Sequence, residues 1–237
     1  MKTLPQGIVV TGAAGDLGRN LCKSFLEDGY QVYAADVKPQ VAAARLVPVH
    51  LDITDRDAVF ALARRVAQES RPEAWVNAAG IFRKGTVSTA GAAEWERIIG
   101  INLTGTFHCC AAALAMFAEA GGGRIVNVSS VAGQAPGGGV HPAYGVSKAG
   151  MLQLTRLYAM EGAKNNVLCN AVAPGMLEGE MITAYTPQQL ERIFRATPLR
   201  RAGAMDEVSS AIRFLCGPGA TFITGATLQV NGGALML

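Results

Sequence analysis

At 237 residues, half of them apolar and only 16% charged, the chain is long enough for one large α/β domain or two small ones and too apolar to be disordered. Its 21 Lys and Arg against 18 Asp and Glu leave a scattered net charge of +3, which gives no footprint for nucleic acid or an anionic membrane. Five cysteines (Cys22, Cys109, Cys110, Cys169 and Cys216) form no CxxC and have no His at ligand spacing, so they read as reduced thiols, with neither a disulfide framework nor a metal site.

The start, "MKTLPQGIVVTG", has one Lys and a Pro before a very short apolar run and does not read as a signal peptide. "GIVVTG" predicts a first strand, and "GRNLCKSFLEDGY" has helical apolar spacing closed by Gly29. "QVYAAD" and "LVPVHLD" predict two more strands, "DAVFALARRVAQ" a helix and "EAWVNAAG" a fourth strand. "WERIIGINLTGTFHCCAAALAMFAEAGGG" predicts a long helix stopped by glycines, although its small and apolar part "CCAAALAMFA" is about half of the roughly 20 residues a membrane span needs. Then come a strand in "RIVNVSS", a long helix in "AYGVSKAGMLQLTRLYAMEGAK", a strand in "NVLCNAVAPG", a helix in "DEVSSAIRFLCG" and a last strand in "ATLQVNGG". This alternation predicts one α/β domain over residues 1–237, a doubly wound parallel sheet with helices on both faces, in a cytoplasmic protein.

"TGAAGDLG" falls where the first strand gives way to the first helix, with Gly12, Gly15 and Gly18 three residues apart. Glycines there let the backbone approach a pyrophosphate at the positive helix terminus. A glycine triplet also makes a mere tight connection, but Asp36 ends the next strand about 20 residues on, as a ribose-binding carboxylate does. That carboxylate favours NAD, because the 2′-phosphate of NADP would bring like charge against it. Lys38 and Arg19 read either as phosphate partners or as solvated surface bases.

In "AYGVSKAG", Tyr144 and Lys148 stand one helical turn apart on one face. The pair reads as a surface contact or as a proton donor whose acidity a cation sets. Lowering a phenol from near 10 by about three units needs roughly 4 kcal/mol at about 1.36 kcal/mol per unit. A cation about 4 Å away at an effective dielectric near 20 supplies about that much.

With this turn, "NAAG" at 77–80, "INLTG" at 101–105, "VNVSSVAG" at 126–133, "YGVSK" at 144–148 and "NAVAPG" at 170–175, the chain resembles the short-chain dehydrogenase/reductase family over nearly its whole length. The resemblance implies a Rossmann-type domain, a nicotinamide cofactor and reversible alcohol–carbonyl oxidoreduction. It makes Tyr144 the proton donor, Lys148 its partner, Ser130 the second hydroxyl and Asn102 the residue that positions a proton-relay water. It assigns cofactor contacts to Gly12, Gly15, Asp16, Leu17, Gly18 and Asp36, and to Tyr144 and Lys148 themselves. Asp52 and Ile53 match the pair at the adenine, Asn77, Ala78, Ala79 and Gly80 the segment beside the ribose, and Pro174, Gly175, Met176 and Leu177 the backbone beside the nicotinamide.

Three departures from the family pattern stand out. Asp16 replaces a glycine, Gly179 replaces a threonine that bonds the carboxamide, and only 15 residues separate Asp36 from Asp52, too few for a full helix. Ser130 follows an apolar strand at the sheet edge where ligands bind, a place that also suits a plain turn serine. Asn102 falls inside a helix, where Asn is disfavoured without a local partner.

The resemblance implies that residues 176–198 form a substrate lid carrying Met181 and Tyr185. His141 reads as a substrate contact or a surface-loop histidine, and Arg83 or Lys84 as bases that could meet an acidic substrate. Trp75, Val76 and Trp95 read as core or interface. The expected activity is NAD(H)-dependent interconversion of a secondary alcohol and a ketone. "VNAAGIFRKG" is similar to dehydrogenases of cyclic dihydrodiols such as 2,3-dihydro-2,3-dihydroxybenzoate dehydrogenase. The alternatives are a 3-oxoacyl carrier-protein reductase using NAD(P)H and a catalytically inactive nucleotide-sensing protein. Helices apolar on more than one side, in "TFHCCAAALAMF" and "GMLQLTRLYAM", predict a homo-oligomer, and the resemblance, which implies a four-helix contact between subunits there, makes a homotetramer the expectation.

Overall fold

In the computed structural model, which describes residues 4–137 and 139–237, "GIVV" becomes β1 (Gln6–Thr11), buried from Gly7 onward. Met1–Thr3, the start of the segment expected not to be a leader, and Gly138 of the loop before Tyr144 lie outside the described residues. Gly12 then turns the chain at φ +70°, and a Cβ there would lie 2.7 Å from the Ala79 backbone, so only glycine fits. Next follow α1 (Asp16–Glu27), β2 (Gln31–Asp36), β3 (Leu46–His50), α2 (Arg56–Glu69) and β4 (Arg71–Asn77). No helix forms between β2 and β3, as the short spacing from Asp36 to Asp52 predicts.

The strands β1 to β4, β5 (Gly123–Val128), β6 (Val167–Pro174) and β7 (Thr227–Val230) pair in parallel in the order β3-β2-β1-β4-β5-β6-β7. The order reverses beside β1, so the carboxyl ends of β1 and β4 open the crevice where doubly wound sheets bind ligands. Alternate strand residues supply the two cores. Val9, Tyr33, Trp75 and Ile125 face one side, while Ile8, Val10, Val32, Val76 and Val126 face the other. The first core is closed by α2 and by α4 (Thr106–Ala120), and the second by α1 and α7 (Met205–Cys216).

The predicted long helix is α3 (Ala92–Ile99) and α4 joined through a π-helical segment, Gly100–Gly105. At 29 residues, Ala92–Ala120 is long and apolar enough to cross a bilayer by length and composition, against the shorter stretch expected from the sequence. Its buried residues, among them Cys109, Ala113 and Phe117, instead pack on the sheet, and Gly121 ends it in the left-handed region at φ +85°. Outside the strands and helices read from the sequence, α6 (Pro187–Ala196) forms in the lid, capped by Thr186, whose hydroxyl accepts from Gln189 N.

Candidate active site

The dinucleotide side is built from the end of β1. Gly15 caps α1 without a side-chain bond, so the first backbone N–H groups, on Asp16, Leu17 and Gly18, have no helical acceptor. An added Cβ on Gly18 would run into the Gly12 carbonyl, which keeps helix and turn tight. This is a fit for a pyrophosphate, since free donors and the helix dipole meet at one point.

Asp36 stands at the tip of β2, its carboxylate accepting from Ala14 N at 2.9 Å and Lys38 N at 2.8 Å. Both bonds orient it and leave lone pairs for hydroxyl donors. Arg19 is held by the Ala14 carbonyl and by Asp16 Oδ1, the latter at 2.5 Å, so it is not a free phosphate partner. Asp52 uses its Oδ1 in a turn with Thr54 N, and Ile53 is buried against Gly105.

Asn77 ends β4 beside the crevice. It is 2% exposed on the α4 side of the sheet, its Nδ2 donating to Asn127 Oδ1 at 2.8 Å and its Oδ1 buried without a partner. Ala78, Ala79 and Gly80 run on from it, with Ala79 N donating to Thr11 Oγ1 at 3.3 Å. Beyond β6, Gly175 N donates to Val230 O at 3.1 Å, and Met176 O and Leu177 meet Gly203.

The side chains expected to carry the chemistry come from three elements. α5 (Pro142–Gly162) starts at His141 with Pro at its first turn and carries Tyr144 and Lys148, 8% and 5% exposed. This burial rules out the surface-pair reading. Ser130 follows β5 and caps a short turn by accepting from Ala132 N at 3.1 Å. Asn102 lies in the π-helical segment, fully buried, which removes the reading of an exposed helix residue. Its Oδ1 accepts from Ile81 N at 2.8 Å, and its Nδ2 donates to Ile81 O at 3.0 Å and to Ser147 Oγ at 3.3 Å. Asn102 thus clamps the chain just after Gly80, and the extra residue of the π turn aims it there.

The electrostatics differ from the expectation that Lys148 lowers the Tyr144 phenol. Burial pushes Tyr144 above its ordinary value, the Ser130 hydrogen bond draws it partly back, and Tyr185 raises it. Lys148 lies 5.8 Å from the Tyr144 ring centroid and donates to Val128 O at 2.6 Å, while burial lowers it to about 8. Burial outweighs the cation because the ammonium is aimed at a carbonyl.

Aromatic rings cover Tyr144. Phe82 meets Tyr144 edge-on at 5.3 Å, and Tyr185 stacks on Phe82 at 6.1 Å. Lys84 sits 4.7 Å over the Tyr185 ring and donates to Ala184 O and Gln189 Oε1 at 2.9 and 3.1 Å. Arg83 pairs with Glu94 at 3.1 Å. Both bases expected at the substrate mouth are therefore committed within the protein. Met181 lies on the lid, 36% exposed.

His141 is 5% exposed, not a surface-loop residue; its Nδ1 accepts from Ala143 N at 3.3 Å and its Nε2 is buried without a partner. Trp75 is core, whereas Trp95 stays 37% exposed on α3. The sequence reading missed Phe82, whose signal was an aromatic directly after "NAAGI", and Ser147, which had none.

A family model described as Enoyl-(Acyl carrier protein) reductase matches residues 12–234. The acetoacetyl-CoA reductase of Allochromatium vinosum is 33% identical over 96% of this chain and 98% of its own length. The 3-oxoacyl-acyl-carrier-protein reductase FabG of Staphylococcus aureus is 31% identical over 98% and 99%. Among solved structures, ElxO with NADP bound has a TM-score of 0.89 at 26% identity, covering 98% of this chain and 99% of that one. The chain belongs to the short-chain dehydrogenase/reductase family and is an oxidoreductase of the kind that binds a nicotinamide cofactor.

Proposed function

We propose that the protein interconverts a secondary alcohol and its ketone with NAD(H), Tyr144 serving as the proton donor in reduction and the acceptor in oxidation. The observation that carries this reading is that buried Tyr144 and Lys148 on α5 and partly buried Ser130 after β5 lie at the carboxyl edge of the sheet. The bound nicotinamide would supply or accept the hydride. Ser130 orients the carbonyl oxygen toward the phenol, and Lys148 keeps positive charge beside it. Asn102, by clamping Ile81, fixes the wall facing Lys148. Phe82 and Tyr185 give the substrate an apolar, aromatic flank, with His141 at its edge.

The named relatives favour a second reading, reduction of a 3-oxoacyl thioester, so acetoacetyl-CoA is the first substrate to assay beside cyclic dihydrodiols. Turnover of neither, with NADH binding intact, would favour a nucleotide-sensing protein.

The cofactor choice rests on Asp36. Wild-type protein is expected to prefer NAD over NADP by about a hundredfold or more in kcat/KM, since an unpaired like charge at a partly buried site costs several kcal/mol. Asp36→Ser narrows the gap from both sides, removing charge-assisted bonds of about 1.5–3 kcal/mol to NAD and the repulsion toward NADP. The added change Lys38→Ala then weakens NADP again. Equal use of both cofactors by wild type at fixed salt would overturn the assignment.

We also propose a homotetramer. Phe107 on α4 and Leu157 and Met160 on α5 are 46%, 51% and 80% exposed, and Met236 and Leu237 add a second apolar patch. Sedimentation of monomer alone at micromolar concentration refutes this. Removal of the last four residues is expected to loosen the assembly before it affects turnover.

A further inference from the structure

The two unusual residues Asp16 and Gly179 touch. Asp16 Oδ2 accepts the backbone N–H of Glu180 at 2.7 Å, and a Cβ on Gly179 would collide with that same oxygen. Gly179 also holds φ +102°, a conformation that residues with a Cβ rarely adopt. The other carboxylate oxygen is gripped by Arg19, which in turn bonds the Ala14 carbonyl, so the carboxylate is oriented and its charge is partnered.

Glu180 begins the short turn Glu180–Ala184, which leads directly to Tyr185 on Phe82. The lid is therefore tied at both ends. Lys84 holds its far side through Ala184 O and Gln189, and Asp16 holds its near side from the first residue of α1.

We propose that Asp16 is a positioning residue that fastens the start of the lid to the dinucleotide turn, with Gly179 as the hinge that makes room for it. The position of Tyr185 over Tyr144 is then set from the same helix terminus that receives the pyrophosphate. This functional part rests on the dinucleotide reading above. The tie itself does not, since it is present in the ligand-free protein. A threonine or any other side chain at 179 would displace the carboxylate, so the two departures from the family pattern belong together as one feature.

Hydrogen exchange of the Glu180 amide in ligand-free protein reads the tie directly. Asp16→Ala is expected to speed this exchange about ten- to a hundredfold, the range for losing a bond to a charged acceptor, while Asp16→Asn keeps an acceptor oxygen and restores most of the protection. Gly179→Ser, which puts a side chain where Oδ2 stands, is expected to reproduce the Asp16→Ala result, and the double variant to be no faster than the faster single.

With acetoacetyl-CoA as the probe, KM in Asp16→Ala is expected to rise about tenfold, more than kcat falls, and Asp16→Asn to recover it. NADH added to wild type is expected to slow Glu180 exchange further, and to do so less in Asp16→Ala. Unchanged Glu180 exchange in Asp16→Ala, additive effects in the double variant, or an NADH effect equal in both proteins overturns the proposal. Failure of wild type to bind NADH, followed by its fluorescence, refutes the dinucleotide reading instead and leaves the ligand-free exchange result standing.

Discussion

Tyr144→Phe is expected to lower kcat by about 10²–10⁴, the usual contribution of a positioned acid or base, while the dissociation constant for NADH changes by less than about twofold. The phenol is 8% exposed, with Phe82 edge-on at 5.3 Å, so a phenylalanine ring fills the same space and only the hydroxyl is lost. Neither a cavity nor a displaced lid confuses the result. The titration adds a signature. Burial holds the phenol above its ordinary value, so the protonated form dominates at neutral pH and is ready to donate. Reduction should therefore stay level through neutrality, and oxidation, which needs the phenolate, should climb as pH rises. Steady-state rates in both directions, with NADH fluorescence titration, check this. Tyr144→Phe protein turning over within tenfold of wild type would remove Tyr144 from the chemistry.

The strands and the glycine-rich turn were legible because their signals are local. "GIVV" and "QVYAAD" are short apolar runs between breakers, and the absent helix after Asp36 follows from chain length alone. The site was legible as far as motif and helical spacing reach, which covers Tyr144 and Lys148. The titration of Tyr144 was not, because it depends on Phe82 and Tyr185 closing overhead and on Lys148 turning to Val128 O. The motif places Asn77 beside the cofactor, and what it did not give is that strand alternation turns the side chain to the α4 face, against Asn127 and Cys110. The lid helix α6 did carry a signal, since Thr186, Pro187 and Gln189 form a capping box with proline at the first turn. Asp16 and Gly179 each looked like an isolated departure, because a contact between a turn and a distant lid leaves no trace in local sequence.

Lys148→Met is expected to abolish turnover and, at neutral pH, to make the ligand-free protein more stable. Burial lowers the folded-state value of Lys148 from the ordinary 10.5 to about 8, so keeping the ammonium charged in the fold costs about 3 kcal/mol at about 1.36 kcal/mol per unit. A methionine of similar length avoids that cost but leaves Val128 O without its 2.6 Å donor, a loss of about 1–3 kcal/mol. The net gain is about 1 kcal/mol, or about 2–4 °C in melting temperature for a chain of this size.

The sign of its pH dependence follows from linkage. A base whose folded value lies below its unfolded one binds more protons in the unfolded state between those values, so wild-type stability rises with pH between about 8 and 10.5. Below about pH 8 the full cost is present, and toward pH 10.5 it disappears. The variant's advantage should therefore be largest at pH 7 and vanish or reverse by pH 10, while all other titrating groups are common to both proteins and cancel. Urea unfolding of both proteins at pH 7 and pH 10 measures the four free energies. A variant less stable than wild type at pH 7 would mean that the bond to Val128 O contributes more than burial of the charge costs. In that case Lys148 would be a structural anchor of α5 on β5 as much as the cation of the active site. An advantage at pH 7 that fades with rising pH, joined to lost turnover, would show a charge kept in the core for the reaction at the expense of the fold.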